Sequence, residues 1–259
     1  TCLKAVEVVR KEEIDFLLAV GGGSVLDATK FIALAALYEE SSAPWDFMIG
    51  RTPGPGRALP IGSVMTVPAT GSEMNSGFVI SRESTESIPE KIPYGSYVVY
   101  PKFSILDPEV TYSLPRDQTA NGIVDTFVHV VEQYVTYPVY APLQDRQAEA
   151  LLATVIEEGP KALTDPTNYN VRAALMWCAT HAINGLISRG VPQDWTTHHI
   201  GHEITALYSL DHARTLAIVL PGLWRNQFAY KSAKLSRYGR RVWGLRGDDD
   251  AVAKEAIAK

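Results

Sequence analysis

The chain has 259 residues, 46% hydrophobic and 20% charged, the balance of a globular protein and too apolar for a disordered one. Its net charge of −5 supplies no global basic field for nucleic acid or an anionic membrane surface. The longest nearly uncharged apolar stretch, Thr215–Trp224, falls far short of the roughly 20 residues of a membrane span, and the two cysteines, Cys2 and Cys178, make no disulfide framework and point to a reducing, cytoplasmic compartment.

The first part alternates helix and strand. Lys4–Lys11 has helical spacing, Asp15–Val20 is a short apolar run, and Gly21-Gly22-Gly23-Ser24 then opens a helical stretch reaching Tyr38. Strand, glycine turn and helix in that order predict an α/β unit with a mostly parallel sheet. A loop rich in Pro and Gly is expected over Glu40–Arg57, a buried strand over Ile61–Val67, and shorter strands at Phe78–Ser81, Ser96–Tyr100 and Phe103–Leu106. After Asp107-Pro108 the texture becomes helical: Arg116–Thr136, Pro142–Glu158, Asn170–Ser188, His198–Ser209, Thr215–Phe228 and Ala233–Trp243 all carry a 3.6-residue spacing. The Asp248–Asp250 run reads as a solvated helix start. The expected division is an α/β domain over residues 1–109 and an all-α domain over 110–259. No signal-peptide pattern is visible, and both ends fall inside helical patterns, so the sequence reads as the interior of a longer protein, each domain incomplete at its outer end.

Chemistry concentrates in three places. The glycine turn lets the backbone approach a ligand, and the helix after it offers free N–H groups to a phosphate. Asp27, three residues into that helix, reads in isolation as a helix-start carboxylate. The hydroxyl-rich loop Thr66–Glu73 follows the C-terminal end of a strand, where ligands gather in open α/β sheets. The sharpest signal is the histidines. Asp125 and His129 lie four residues apart on one helix face, His198 and His202 repeat that spacing, and His212 follows ten residues on. A carboxylate and three imidazoles make a nearly complete set for Zn²⁺ or Fe²⁺ with a position left for a substrate oxygen. Glu132, seven residues after Asp125, is a rival ligand; His199 points about 100° away from His198, and His181 reads as structural. The zincin HExxH motif is absent, because Ala206 stands where its second histidine would be.

Together GGGSVLD (Gly21–Asp27), PATGSE (Pro68–Glu73), GIVDTFVHVVEQY (Gly122–Tyr134) and HHIGHEITALYSLDHA (His198–Ala213) resemble the iron-containing (group III) alcohol dehydrogenases over essentially the whole chain. GVPQDW (Gly190–Trp195) resembles their bacterial NADP-dependent aldehyde reductase and butanol dehydrogenase branch. The resemblance implies metal ligation by Asp125, His129, His198 and His212, with Fe²⁺ or Zn²⁺ as the ion, and places His202 beside cofactor and substrate as a proton carrier. It implies that the α/β part is a truncated Rossmann-like nucleotide-binding domain, with pyrophosphate contacts at Gly22, Gly23 and Ser24. Around the nicotinamide half it implies Asp27, which it also places among the catalytic residues, with Thr66, Thr70, Asn75 and Lys91. A small insertion is expected within Ser81–Pro101, and Tyr208-Ser209 stands where the branch usually has His-Gly.

The implied activity is metal-dependent hydride transfer between NADP or NAD and an aldehyde/primary alcohol pair, in a homodimer or larger homo-oligomer with no nucleic-acid or membrane partner. One alternative is a lyase resembling dehydroquinate synthase, which would need a basic pocket for its acidic substrate. Another is a metallohydrolase, with the glycine turn only structural, and a third is a catalytically silent scaffold.

Overall fold

The computed structural model describes residues 1–38, 43–82 and 89–259. Residues 39–42, at the start of the expected Pro/Gly-rich loop, and 83–88, within the expected insertion, lie outside it. Helix α1 (Cys2–Lys11) leads to β1 (Leu17–Gly22), and α2 (Gly23–Ala36) crosses over to β2 (Ile61–Val67). β1 and β2 pair in parallel, and β5 (Phe103–Ile105) joins the other edge of β2, giving the order β1-β2-β5. A helix between parallel neighbours is the crossover expected of a βαβ unit. Leu34, Phe31, Phe47 and Ile61 bury together in its core, with Phe47 carried on the single-turn α3 (Trp45–Met48).

Several expectations are corrected here. β3 (Gly77–Arg82) leaves the parallel sheet and pairs antiparallel with β4 (Glu90–Gly95), which no sequence pattern announced. Pro93 lies in β4 opposite Val79, a position a proline tolerates because each strand of a two-stranded ribbon is an edge. The expected strand at Ser96–Tyr100 is a 3₁₀ turn over Tyr97–Val99 that buries Val99 and leaves Tyr97 in solvent. The chain has to turn there: Ser96 N–H donates to Ser76 C=O at 3.1 Å to close the ribbon, and Val99 N–H donates back to Ser96 C=O at 3.1 Å.

From Arg116 on, every regular element among the described residues is helical: α4 (Arg116–Tyr134), α5 (Pro142–Thr164), α6 (Tyr169–Ala182), α7 (Thr196–Tyr208), α8 (His212–Asn226), α9 (Phe228–Val242) and α10 (Asp249–Ile257). α5 continues past the expected stop at Glu158, through Pro160, because Gly159 and Ala162 remain packed inside. α6 stops six residues before the expected Ser188: Gly185 takes φ +90°, and the Asn184 side chain accepts from Leu186 N–H at 3.0 Å, turning the chain. Asp248 caps α10 by accepting from Ala251 N–H, as its acidic run predicts. No helix of the described residues is long and apolar enough to cross a membrane.

α4 is the central helix. Val128, Val131 and Val135 face a core shared with Leu152, Leu216 and Leu235 of the surrounding helices, while its other face carries Asp125, His129 and Glu132. Its N-terminal half presses on the loop after β2. A Cβ at Gly122 would sit 2.5 Å from the Pro68 carbonyl oxygen, a backbone atom that cannot rotate away. Gly122→Ala is therefore expected to lower unfolding free energy by about 1–3 kcal/mol, read by urea denaturation; an unchanged midpoint would mean that α4 and the loop are not in contact.

Candidate metal and nucleotide site

One cavity of about 820 Å³ runs from the glycine turn to the histidines. Gly23, Ser24, Asp27, Thr70, Asn75 and Lys91 line one part of it, and Asp125, His129, His198, His202 and His212 line the other. Among the expected site residues Gly22 and Thr66 do not line it: Gly22 is the N-cap of α2 and Thr66 sits in β2.

At the glycine end the first turn of α2 has no side-chain cap and no acidic residue, so its N–H groups are open to an anion. A Cβ on Gly23 would lie 2.4 Å from Thr70 Cγ2, so this position keeps the α2 N-terminus against the Thr70 loop. Asp27 is a brace as well as a lining residue: its Oδ1 accepts from Ser72 Oγ at 2.8 Å and its Oδ2 from Val79 N–H at 2.9 Å. Burial lifts the Asp27 carboxyl, opposed by the Lys30 charge and these two donors.

Asn75 holds the loop from within. Its Nδ2 donates to Gly71 C=O at 2.8 Å, while its Oδ1 accepts from Gly77 N–H at 2.9 Å and from Lys30 Nζ at 3.2 Å. Lys30, fully buried, also donates to the Asn75 and Gly77 carbonyls. Burial pulls its ammonium down to about 8, against the carboxylates of Asp27 and Glu73. Sequence reasoning missed Lys30; the available signal was a lysine inside the apolar stretch of α2.

At the other end, three imidazoles surround Asp125 Oδ1: His198 Nε2 at 3.5 Å, His129 Nε2 at 3.7 Å and His212 Nε2 at 3.9 Å. Donor atoms of Asp125, His198 and His212 lie within 4.8 Å of one another; His129 stands at the margin, its ring stacked on His198 with centroids 4.7 Å apart. Asp125 Oδ1 and His198 Nε2 are buried without a hydrogen-bond partner. Buried polar atoms that face one another unsatisfied are costly unless something bridges them. An ion held by one carboxylate and imidazole nitrogens supplies that bridge, and the donor set suits Fe²⁺ or Zn²⁺.

Charge follows this geometry. Burial alone lifts the Asp125 carboxyl, but His129, His198 and His212 outweigh it and hold it well below the usual carboxylate range. Burial alone lowers His198, yet Asp125 and Glu132 on either side of its ring raise it to about 9. Burial brings His129 down to about 4 against Asp125. It brings His212 to about 3, opposed by Asp125 and aided by Lys91. His202, whose ring centroid is 4.8 Å from that of His212, falls to about 2 through burial and the Lys91 charge. Lys91 itself is pulled down by burial, against Asp125 and Asp27.

The rival readings of nearby residues separate cleanly. Both Glu132 oxygens are occupied by the start of α7, so Glu132 is not placed as a ligand. His181 Nδ1 accepts from Asn184 Nδ2 at 3.2 Å and its ring stands edge-on to Trp177, a structural role. His199 is exposed at the cavity rim. Trp195, which the sequence marks only as the end of GVPQDW, stands with its ring edge-on to both His129 and His198.

The turn joining α7 to α8 sets the place of His212, the first residue of α8. Ser209 ends α7 at φ +54°, ψ 30°, a left-handed conformation that favours glycine. Ser209→Gly is expected to stabilise the fold by up to about 1 kcal/mol, strain relief being partly offset by unfolded-chain entropy. A melting temperature that falls would place the strain elsewhere.

A family profile described as iron-containing alcohol dehydrogenase matches residues 1–108, and one described as the C-terminal part of the Fe-containing alcohol dehydrogenase family matches residues 119–259. The chain is 56% identical over 259 residues to the NADPH-dependent aldehyde reductase YqhD of Escherichia coli, covering 100% of this chain and 66% of that protein. It is 43% identical over 262 residues to the probable NADH-dependent butanol dehydrogenase 1 of Bacillus subtilis, with the same coverages. The chain thus spans 66% of the length of these curated relatives. The crystal structure of E. coli YqhD superposes with a TM-score of 0.96, covering 100% of this chain and 66% of that one at 56% identity. The NADH-dependent butanol dehydrogenase A of Thermotoga maritima superposes at 0.93, with 36% identity and coverages of 99% and 63%.

Proposed function

Because the chain belongs to the iron-containing alcohol dehydrogenase family, we propose that it serves a metal-dependent alcohol dehydrogenase working mainly as an aldehyde reductase, exchanging hydride between NAD(P)H and an aldehyde/primary alcohol pair. The observation that carries this reading is the single cavity joining the open N-terminus of α2 to the Asp125–histidine cluster. Gly23 and Ser24, next to the N-cap Gly22, take the pyrophosphate of NADP or NAD; Asp27, Thr70, Asn75 and Lys91 surround the nicotinamide half. Asp125, His129, His198 and His212 hold Fe²⁺ or Zn²⁺. When bound, the metal supplies a Lewis acid that polarises a carbonyl, and the nicotinamide supplies or accepts the hydride.

The chain's own residues do the rest. Asp125 stays ionised and offsets the charge of a cation beside it. Asp27, Ser72 and Asn75 keep the loop after β2 closed against α2, which holds the two halves of the cavity at a fixed separation. His202, neutral over the physiological range, accepts a proton at one ring nitrogen while giving one up at the other, and so relays a proton between the pocket and water. The reading divides the chain into a nucleotide-binding unit at residues 1–109 and a metal-binding unit at 110–259. It makes the protein a cytoplasmic homodimer or larger homo-oligomer; two free thiols fit a reducing compartment.

The test follows NADPH and NADH oxidation with a medium-chain aldehyde, with and without Fe²⁺ or Zn²⁺. Metal-dependent oxidation is expected, and the better nucleotide identifies the cofactor. A folded, metal-loaded protein that oxidises neither would move the reading to the lyase or the hydrolase.

A further inference from the structure

Glu132 lies two turns beyond Asp125 on α4, with its side chain 2% exposed. Its Oε1 accepts from Thr197 N–H at 2.7 Å and from His198 N–H at 3.3 Å, capping the first turn of α7. Its Oε2 is hydrogen-bonded to His198 Nδ1. The backbone repeats the attachment: Glu132 C=O accepts from Asp194 N–H at 2.9 Å, just before α7 begins. Lys231 then ties Asp194 Oδ2, at 2.7 Å, to the Val135 carbonyl, at 2.8 Å. His198 is thus the one histidine of the cluster whose remote nitrogen meets a carboxylate among the described residues. The Nδ1 atoms of His129 and His212 are buried without a hydrogen-bond partner.

An ionised carboxylate only accepts hydrogen bonds, so the ring nitrogen facing Glu132 must carry the proton. A histidine whose far nitrogen is held this way is fixed in tautomer and ring orientation, and its near nitrogen becomes the stronger donor. We propose that Glu132 is a positioning residue of the metal site, holding the His198 proton on Nδ1 so that Nε2, 3.5 Å from Asp125 Oδ1, is the nitrogen left to bind the ion. This rests on the metal-site reading above. In this arrangement Glu132 never touches the ion; it fixes both the ring that does and the helix end that carries the ring. His198 is then the member of the cluster that a carboxylate holds from behind.

Glu132→Gln separates the two jobs. Its amide oxygen still accepts from the Thr197 and His198 N–H groups, while its NH₂ faces His198 Nδ1 and stabilises the opposite tautomer, with the proton on Nε2 where the ion must bind. Zn²⁺ affinity of the folded variant, its fold checked by far-UV circular dichroism, is measured by competition with a chelator and is expected to fall by about 10–100-fold. In ¹⁵N-histidine NMR of the Zn²⁺-loaded wild type, His198 is expected to show a protonated Nδ1 and a coordinated Nε2. Equal Zn²⁺ affinity in wild type and Glu132→Gln, or a wild-type His198 coordinated through Nδ1, overturns the role of Glu132 and leaves the metal site standing. A wild type that takes up no Zn²⁺ or Fe²⁺ overturns both. The NMR measurement needs no variant, so it decides the matter even if Glu132→Gln fails to fold.

Discussion

Asp125→Asn is expected to abolish metal retention and, under the proposed function, to cut aldehyde reduction by at least about a thousand-fold, while the chain stays folded. Three imidazole nitrogens lie within 3.9 Å of the one oxygen, Asp125 Oδ1, so the carboxylate is the hub of the cluster. Asn has the same shape and loses the charge. A divalent cation beside three neutral imidazoles then has no anionic ligand in a buried site, where unscreened charge is costly. Lewis-acid polarisation of a carbonyl contributes several kcal/mol, and every 1.4 kcal/mol is a factor of about ten in rate. The measurements are metal content after gel filtration, turnover with added Fe²⁺ or Zn²⁺, and far-UV circular dichroism. Full metal content in the variant would remove Asp125 from the ligand set; lost helicity would show that the residue acts through the fold.

How far the site can be read from the sequence depends on whether its parts share an element. Asp125 and His129 are legible because four residues on one helix give one face, and the structure brings both to the cluster. The strand–glycine–helix order is legible because it depends on neighbours in sequence, and β1 and α2 form as expected. Spacing cannot say what a residue meets on another element. Glu132 shares the Asp125 face and so resembles a ligand, yet the nearby start of α7 takes up both its oxygens. Lys30 looks misplaced in an apolar helix until the Asn75 and Gly77 carbonyls close around its ammonium. β4 stays hidden because Pro93 argues against a strand, and only pairing with β3 overrides it. The end of α6 is missed because apolar spacing continues past the point where Gly185 turns the chain.

The second large effect lies behind the site, where α4, α5 and α9 meet. Asp145→Ala is expected to lower unfolding free energy by about 3–5 kcal/mol, a large share of the roughly 5–15 kcal/mol that holds a typical domain together. Asp145 of α5 and Lys234 of α9 are both buried and meet at 2.5 Å, and the Lys234 ammonium also sits 4.8 Å from the centre of the Tyr134 ring. Beside them Glu149 accepts from Tyr134 Oη at 3.0 Å, from Arg237 Nε at 2.6 Å and from Arg241 Nε at 3.1 Å. Removing Asp145 leaves a buried ammonium with an aromatic face and no carboxylate at hydrogen-bond distance. Removing both charges is a different matter: the double variant Asp145→Leu, Lys234→Met replaces two desolvated ions with apolar groups and is expected to fall within about 1–2 kcal/mol of wild type. Arg237, which loses its weaker contact with Asp145 at 3.5 Å, keeps Glu149. Urea denaturation of the single and double variants measures the difference. A double variant as unstable as Asp145→Ala would mean that the pair stabilises the bundle through its attraction; recovery would mean that the cost lies in the stranded charge. Because this network grips the Tyr134 end of α4 and the proposed ligands Asp125 and His129 lie further along the opposite face, Zn²⁺ affinity of the folded double variant is expected to stay within about threefold of wild type, as for sites without shared partners.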